Sequence, residues 1–424
     1  MISRTTVSIA YERLAADGFV TARVGAGTFV NKHAARPDTC RIPDRGVLRA
    51  QSIWTSIQLP TTFDKPARFD FRTGLPSLSL FPHQTWRRLI RKSLCPGLAA
   101  AGVYQQPGGH WRLREAIARH VGASRGVSAL AEDITITNGA QQALDILGRT
   151  LLAPGDRIAV EDPGYGLPRR LFQSQRIHVV GIPVDHEGLI VDAIPCDVRA
   201  VYVTPSHQYP LGVTMSLARR RSLLSWAEQK HAAIIEDDYD GEFRFGGRPI
   251  DALQTLDASG RVVYVGSFSK VMLPTLRLGF VITPPSLSRA IQTAKYVSDW
   301  HTSLLTQDAL ASFIEEGGFA RHIRRASAAY RKRHDMIATI LCRDFTEHFE
   351  VLPSSAGLHL TALAKSASPQ KIKTIIAKAS ELEVALQPLS MFSEDIPLAG
   401  IAFGYGAIET EDIEEGLRRL RSCF

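Results

Sequence analysis

Lys270 sits in "GSFSKVMLPTLRLGF", residues 266–280, directly behind Ser267 and Ser269 and seven residues ahead of Arg277. The apolar run Val262–Val265 before it predicts a strand that ends in a Gly-Ser turn, and ligands of open α/β sheets gather at the carboxyl ends of strands. A lysine held there and partly desolvated has a lowered pKa, so its neutral amine is able to attack an aldehyde and form a Schiff base. Ser267, Ser269 and Arg277 form a phosphate-binding set, two hydroxyl donors and one guanidinium fork. An aldehyde that carries a phosphate is pyridoxal 5′-phosphate (PLP). The competing reading, a solvated surface lysine, does not explain the apolar strand or the donors around it.

PLP makes a further demand, because its protonated pyridine nitrogen needs a facing carboxylate. "AAIIEDDYDGEF" offers Asp237 and Asp238 after an apolar strand, followed by Tyr239. The strand-end lysine comes about one βαβ unit later. In "TITNGAQQALDIL" a strand ends at Asn138-Gly139 and a helix starts, so the free amides near Ala140 and Gln141 form an anion site. Tyr165, in "VEDPGYGLP", follows another strand. It is placed either to stack on a flat ring or to pack on its own loop.

These residues need a scaffold. Short β-branched runs at Asp133–Thr137, Arg157–Glu161, His178–Val184, Ala200–Thr204, Ala232–Glu236, Val262–Val265 and Leu278–Thr283 alternate with helical patterns. That alternation predicts an α/β fold with a mostly parallel sheet and helices on both faces. Beyond about residue 300, long helices and then "AGLHLTALA" and "GIAFGYGAI" as strands predict a smaller α+β domain.

The first 31 residues form a separate block. Ser3 caps a predicted helix carrying Val7, Ala10, Tyr11 and Leu14 on one face, and Gly18 ends it. Two β-like stretches, Phe19–Ala22 and Thr28–Val30, are joined by a turn with Gly25 and Gly27. This is the second half of a winged helix-turn-helix. Residues 32–68 read as a polar, proline-bearing linker, with a short amphipathic stretch near Val47–Gln58.

Composition narrows the class. No run of about 18 apolar residues suggests a membrane span, and "MISRTTVSIAYERL" lacks a signal-peptide pattern. Five scattered cysteines (Cys40, Cys95, Cys196, Cys342, Cys423) without CxxC spacing argue for a reducing cytoplasm, and no metal ligands are assigned. The formal charge of +8 is compatible with nucleic acid as a partner.

Taken in order, "SRTTVSIAYERLAADGFVTARVGAGTFV", "FRTGLPSLSLFP", "TNGAQQALD", "EDPGYG", "TPSHQYPLGVTMSLARR", "EDDYDGEF" and "SFSKVMLPTLRLGF" resemble the MocR-type regulators of the GntR superfamily. These join a winged helix-turn-helix to a fold-type I PLP-dependent aminotransferase-like domain. The resemblance covers nearly the whole chain. It implies a partial DNA-binding domain over 1–31, a linker over 32–68, and an aminotransferase-like domain over 69–424. Within the last, the large domain spans about 112–299 and the small domain about 69–111 with 300–424.

The resemblance also implies roles. Lys270 holds PLP as the internal aldimine, Asp237 pairs with the pyridinium nitrogen, Tyr239 hydrogen-bonds the ring O3′, and Tyr165 stacks on the ring. Ser267, Arg277 and the Ala140–Gln141 amides hold the phosphate. Tyr104 reaches the neighbouring subunit's phosphate in a homodimer. His207 or Gln208, in "SHQYPLG", lies beside O3′. Ser3, Arg4, Thr5 and Thr6 face DNA, with Gly25 at the wing tip near the minor groove.

Two departures stand out. The leading helices of the winged helix are missing, so the natural product is expected to begin upstream. The C-terminal stretch "LAGIAFGYGAIE" lacks the arginine that clamps a substrate carboxylate, and Leu167 stands where some relatives carry a second arginine; Arg169, Arg170 or a partner subunit remains to supply the charge. The expected function is a cytoplasmic, dimeric transcriptional regulator that senses PLP or an amine or amino acid. The alternative is a working aminotransferase with a vestigial DNA-binding segment. The basic run 321–334 is expected to be a solvated helix face.

Overall fold

Ser3 is extended (φ −62°, ψ 141°) and its hydroxyl accepts a hydrogen bond from the Thr5 amide at 3.3 Å. This cap starts helix α1 (Arg4–Ala16). Gly18, at φ +75°, turns the chain into a hairpin of β1 (Val20–Arg23) and β2 (Gly27–Val30). Gly25 lies at its tip with φ +77°, a conformation that favours glycine. Asn31 ties the block together: its amide donates to the Gly18 carbonyl (2.9 Å) and its side-chain oxygen accepts from Thr21 (2.8 Å). The first strand is shifted by one residue from the predicted run, and the second begins one residue earlier than predicted.

The computed structural model describes residues 3–31, 48–57, 59, 67–94, 103–245, 251–394 and 398–424. It divides into two compact units, Met1–Ser56 and Ile57–Phe424. Most of the expected linker lies outside the described residues, as do Cys40 and Cys95. The amphipathic stretch near Val47–Gln58 is reduced to a five-residue helix, α2 (Ser52–Ser56), and both of its predicted ends lie outside the described residues.

The larger unit begins with β3 (Phe69–Asp70), α3 (His83–Ser93) and α4 (Trp111–Arg125). The alternating region follows as β4 (Ile134–Thr137), α5 (Ala140–Leu151), β5 (Arg157–Asp162), α6 (Gly166–Ser174), β6 (His178–Asp185), β7 (Gly188–Leu189) and β8 (Val198–Val203). It continues through α7 (Leu217–Lys230), β9 (Ala233–Asp238), β10 (Val262–Ser267), β11 (Gly279–Ile282) and α8 (Pro285–Asp299). These strands form one eight-stranded sheet in the order β4-β11-β10-β9-β8-β5-β6-β7. The five strands from β10 to β6 are parallel, while β11 and β7 run antiparallel to their neighbours. One side of the sheet packs Leu144, Leu147 and Phe172, from α5 and α6, against Val160, Ile235 and Val263. The other side packs Leu223 and Ala227 of α7 against Val201, Val203 and Ile234. Strands covered on both faces are apolar throughout their length.

The C-terminal part comprises α9 (Leu304–Glu315), α10 (Gly318–Asp344), β12 (Phe349–Val351), β13 (His359–Ala364), α11 (Pro369–Glu381), β14 (Val384–Ala385), β15 (Gln387–Pro388), β16 (Gly400–Gly404) and α12 (Ile413–Arg421). Strands β12, β13, β16 and β15 form an antiparallel sheet. The predicted strand over "GIAFGYGAI" stops at Gly404. β3 pairs in parallel with β14, which stitches Phe69 and Asp70 to the segment that follows α11. No helix among the described residues is long and apolar enough to cross a membrane.

Candidate functional site

Sheet direction collects the chemistry. Because β11 is antiparallel to both β10 and β4, the carboxyl ends of β4, β10, β9, β8 and β5 lie along one edge. Gly139, Lys270, Asp237, Tyr209 and Tyr165 all follow or finish those strands, and Arg277 enters β11 from the same edge.

The Lys270 amine donates to the Gly74 carbonyl at 2.8 Å. A Cβ on Gly74, itself at φ +78°, would come within 3.0 Å of that nitrogen. Burial pushes the amine below its ordinary range, the carboxylates of Asp240 and then Asp237 oppose that, and Arg277 reinforces it.

Side-chain alternation sorts the acidic cluster on β9. Asp238 pairs with Arg125 (2.7 Å) and accepts from Tyr264 (2.7 Å), while Glu236 accepts from the amides of Leu253 and Gln254. Asp237 faces away from both. One of its oxygens accepts from Tyr202 (2.8 Å), and the other is buried without a partner. Burial raises the Asp237 carboxyl to about 7, against the Tyr202 hydrogen bond and the Lys270 charge.

The anion end lies at α5. Gly139 holds φ +79° and ψ 174°, and the helix has no side-chain cap, so the amides of Ala140 and Gln141 are open. The Arg277 guanidinium donates to the Asn138 carbonyl (2.9 Å), and a Cβ on Gly139 would stand 3.2 Å from it. The Ser269 amide donates to the Ser267 hydroxyl at 3.2 Å, shaping the turn before Lys270.

An aromatic group closes the site. The ring of Tyr209 meets Tyr165 (5.9 Å), Tyr239 (6.0 Å), His359 (5.3 Å) and Phe392 (5.1 Å) edge-on. The Thr73 hydroxyl and amide both donate to the Gln387 side-chain oxygen (2.7 and 2.9 Å). With its proton so engaged, Thr73 accepts from the Tyr209 hydroxyl at 2.6 Å. Tyr165 is 37 % exposed; burial and then the Asp237 carboxylate push its hydroxyl up to about 12.

Thr73, Gly74, Tyr202, Tyr209, Asp240, His359 and Gln387 were not found by sequence reasoning. Asp240 stands three residues beyond Asp237, and Thr73, Gly74 and Tyr209 fall inside stretches that carried the resemblance without being assigned a role. Of the two residues offered beside O3′, Gln208 spends its amide on the Pro163 and Tyr209 carbonyls (2.8 and 2.7 Å), whereas His207 touches Tyr239. His207, Asp240 and His359 each bring one possible ligand atom within 4.8 Å of the others. Protein partners engage one nitrogen of each ring: His207 Nδ1 faces Asp240, and His359 Nε2 faces the Pro210 carbonyl. Tyr104 is exposed and stacks on Trp300 of its own chain (4.3 Å, 21°). In the smaller unit, Arg4, Thr5 and Thr6 are exposed at the start of α1. Arg169 is buried between Asp162 (3.2 Å) and Glu394 (3.3 Å).

The donor set fits PLP. An orphaned buried carboxylate oxygen suits a ring N–H, an uncapped helix start beside an arginine suits a phosphate, and a desolvated lysine stands on the same sheet edge. Fold and site together define an aminotransferase-like protein of fold type I. The sequence pattern of the family described as "Aminotransferase class I and II" matches residues 99–420. Kynurenine aminotransferase of Pyrococcus horikoshii superposes with a TM-score of 0.77 at 28 % identity, covering 91 % of this chain and 98 % of that one. The multiple substrate aminotransferase of Thermococcus profundus superposes at 0.80 and 27 %, covering 88 % and 96 %. Among curated proteins, the uncharacterized HTH-type transcriptional regulator YhdI of Bacillus subtilis is 37 % identical over 100 % of this chain and 88 % of its own length. The probable rhizopine catabolism regulatory protein MocR of Rhizobium meliloti is 35 % identical over 100 % and 86 %. The pyridoxine biosynthesis regulator PdxR of Corynebacterium glutamicum is 31 % identical over 97 % and 86 %. The chain belongs to the MocR-type regulators of the GntR superfamily, which carry an aminotransferase class I and II domain.

Proposed function

We propose that this protein is a cytoplasmic, PLP-binding transcriptional regulator that works as a homodimer and senses PLP itself or an amine or amino acid. The observation that carries the PLP reading is the unpartnered, buried Asp237 oxygen on the sheet edge that also holds Lys270 and the open start of α5. PLP, when bound, supplies an aldehyde to which amines add and a ring that withdraws electrons. The chain's own residues do the rest. Lys270 presents an amine whose charge is disfavoured by burial, Asp237 accepts the ring N–H, and Ala140, Gln141, Ser267, Ser269 and Arg277 hold the phosphate. Tyr165 covers the ring, Tyr239 meets its hydroxyl oxygen, and Tyr104 serves the partner's phosphate. Domain organisation follows the family: a partial winged helix over 1–31, a linker over 32–68 and an aminotransferase-like domain over 69–424. Ser3, Arg4, Thr5 and Thr6 face DNA, with Gly25 at the wing tip.

The regulator reading is favoured over turnover by β16, Gly400–Gly404, which holds no arginine. The hydrogen-bonded chain Tyr209–Thr73–Gln387 offers neutral groups near Lys270 instead. Without a bidentate clamp, an amino acid is bound and oriented less tightly. The intact lysine and carboxylate keep a working aminotransferase as the second reading.

Borohydride trapping of the PLP-loaded protein, followed by peptide mapping, should place the adduct on Lys270. Absence of an adduct there would defeat the cofactor assignment. Multiple turnovers with amino acids and an oxo-acid acceptor would replace the regulator with the enzyme. Salt-dependent binding to the DNA upstream of its gene supports the regulator.

A further inference from the structure

The site contains a buried pair that the proposed roles leave unused. Asp240 and His207 are 1 % and 2 % exposed, and His207 Nδ1 lies 3.0 and 3.3 Å from the two Asp240 oxygens. A carboxylate so placed makes Nδ1 the protonated nitrogen. The Tyr239 hydroxyl oxygen lies 3.2 Å from the same Nδ1 and donates its own proton to the His207 carbonyl at 2.9 Å. His207 Nε2 is buried without a partner. The Leu358 amide donates to Asp240 at 3.2 Å, and Gly357, at φ +78°, leaves room where any Cβ would strike both the His207 ring and the Asp240 carboxylate. His359 leans on His207 with ring centroids 4.5 Å apart. The backbone is therefore shaped around this pair.

Resting on the cofactor reading above, we propose that Asp240 and His207 are positioning residues: His207 holds the Tyr239 phenol through Nδ1–H, and Asp240 supplies the pair's charge beside Lys270. Two contacts on one phenol oxygen, a donor at Nδ1 and an acceptor at the same residue's carbonyl, fix the direction of its lone pairs. The charged and titratable groups around Lys270 are Asp237 of β9, Asp240 just beyond it, Arg277 ahead of β11 and His359 of β13. Those around His207 are Asp240, Tyr239 and His359. Of the carboxylates, Asp240 acts most strongly on the Lys270 charge, ahead of Asp237. Burial, and then His207, hold His359 well below its ordinary range.

The experiment has two arms. In cofactor-free protein, acetylation of Lys270 is followed by mass spectrometry across pH. Asp240→Asn should lower the midpoint by about 1 unit or more, the effect of removing a neighbouring opposite charge; an unchanged midpoint overturns Asp240's part. In PLP-loaded protein, the pH titration of the cofactor absorbance is compared for His207→Gln, Tyr239→Phe and the double variant. If His207 acts through Tyr239, His207→Gln shifts the midpoint in the parent and adds nothing in the Tyr239→Phe background. Additive shifts overturn the positioning role. Tyr239→Phe leaves the buried pair intact, so it decides the matter where a substitution in the pair prevents folding: it must itself move the spectrum. A parent protein that takes up no PLP would defeat the cofactor reading and leave the acetylation arm standing.

Discussion

Replacing Asp237 with asparagine separates charge from shape at the centre of the site. The side chain is 3 % exposed; one oxygen is taken by Tyr202 and the other has no partner. Asparagine keeps the volume and the acceptor for Tyr202 but turns an N–H group toward the ring nitrogen. The variant then loses a hydrogen bond between charged groups, worth about 1.5–3 kcal/mol net, so PLP affinity should fall roughly 10- to 150-fold. Without PLP the sign reverses. The carboxyl is raised to about 7 by burial, so at pH 8 the parent bears a buried charge, only partly offset by Tyr202 and Lys270, that asparagine removes. The cofactor-free variant should therefore be at least as stable as the parent. Absorbance titration with PLP at pH 8 and urea unfolding of both cofactor-free proteins provide the two measurements. Affinity within about threefold of the parent, well under the 1.4 kcal/mol of a tenfold change, would refute the pairing. Lower affinity together with lower stability would mean that the substitution damages the fold instead.

Other outcomes follow from the same geometry. Gly139→Ala forces a side chain into a region open essentially to glycine, at a cost of about 1–3 kcal/mol, and crowds Arg277; PLP should weaken far more than pyridoxal, as read by parallel titrations. Arg125→Met leaves Asp238 buried without its 2.7 Å partner, which should destabilise the protein by about 3–5 kcal/mol in urea unfolding, with Asp238→Asn restoring part of the loss. Asp237, Glu161 and Glu236 are all raised to about 7 by burial, so they stay protonated in the fold while the unfolded chain ionises from about pH 4. These carboxyls take up protons on folding, so their contribution to the stability of the cofactor-free protein falls as pH rises from about 4 to about 7. His110, His322 and His359, held below their ordinary value by burial, act the other way. Glu161→Gln, which removes one such carboxyl, should therefore lose less stability than the parent over that range. Urea midpoints at pH 5 and 8 check the direction, and bound PLP should flatten the Asp237 share.

Local chemistry carried much of the reading. All seven predicted strands of the large sheet are present, because β-branched runs buried on both faces cannot be exchanged for helix without losing their packing. The capping serine and the glycine that ends α1 were legible for the same reason: the cap and the turn are decided within four residues. Lys270, Asp237 and Gly139 could be singled out because each sits at a strand end beside punctuation that only a few residue types supply.

What the sequence could not order was the company these residues keep. Thr73, Gln387 and Tyr209 lie 136 and 314 positions apart along their hydrogen-bonded chain, and no local pattern marks their pairing. Whether Asp237 or Asp238 faced the site depended on strand alternation and on Arg125, 113 residues away, neutralising the other side. Sequence alone determined which segments become strands and helices, since backbone preference and side-chain period act over a few residues. Only the tertiary structure decided which polar atoms end up buried, paired or left open, since desolvation is set by whatever the rest of the chain packs against them.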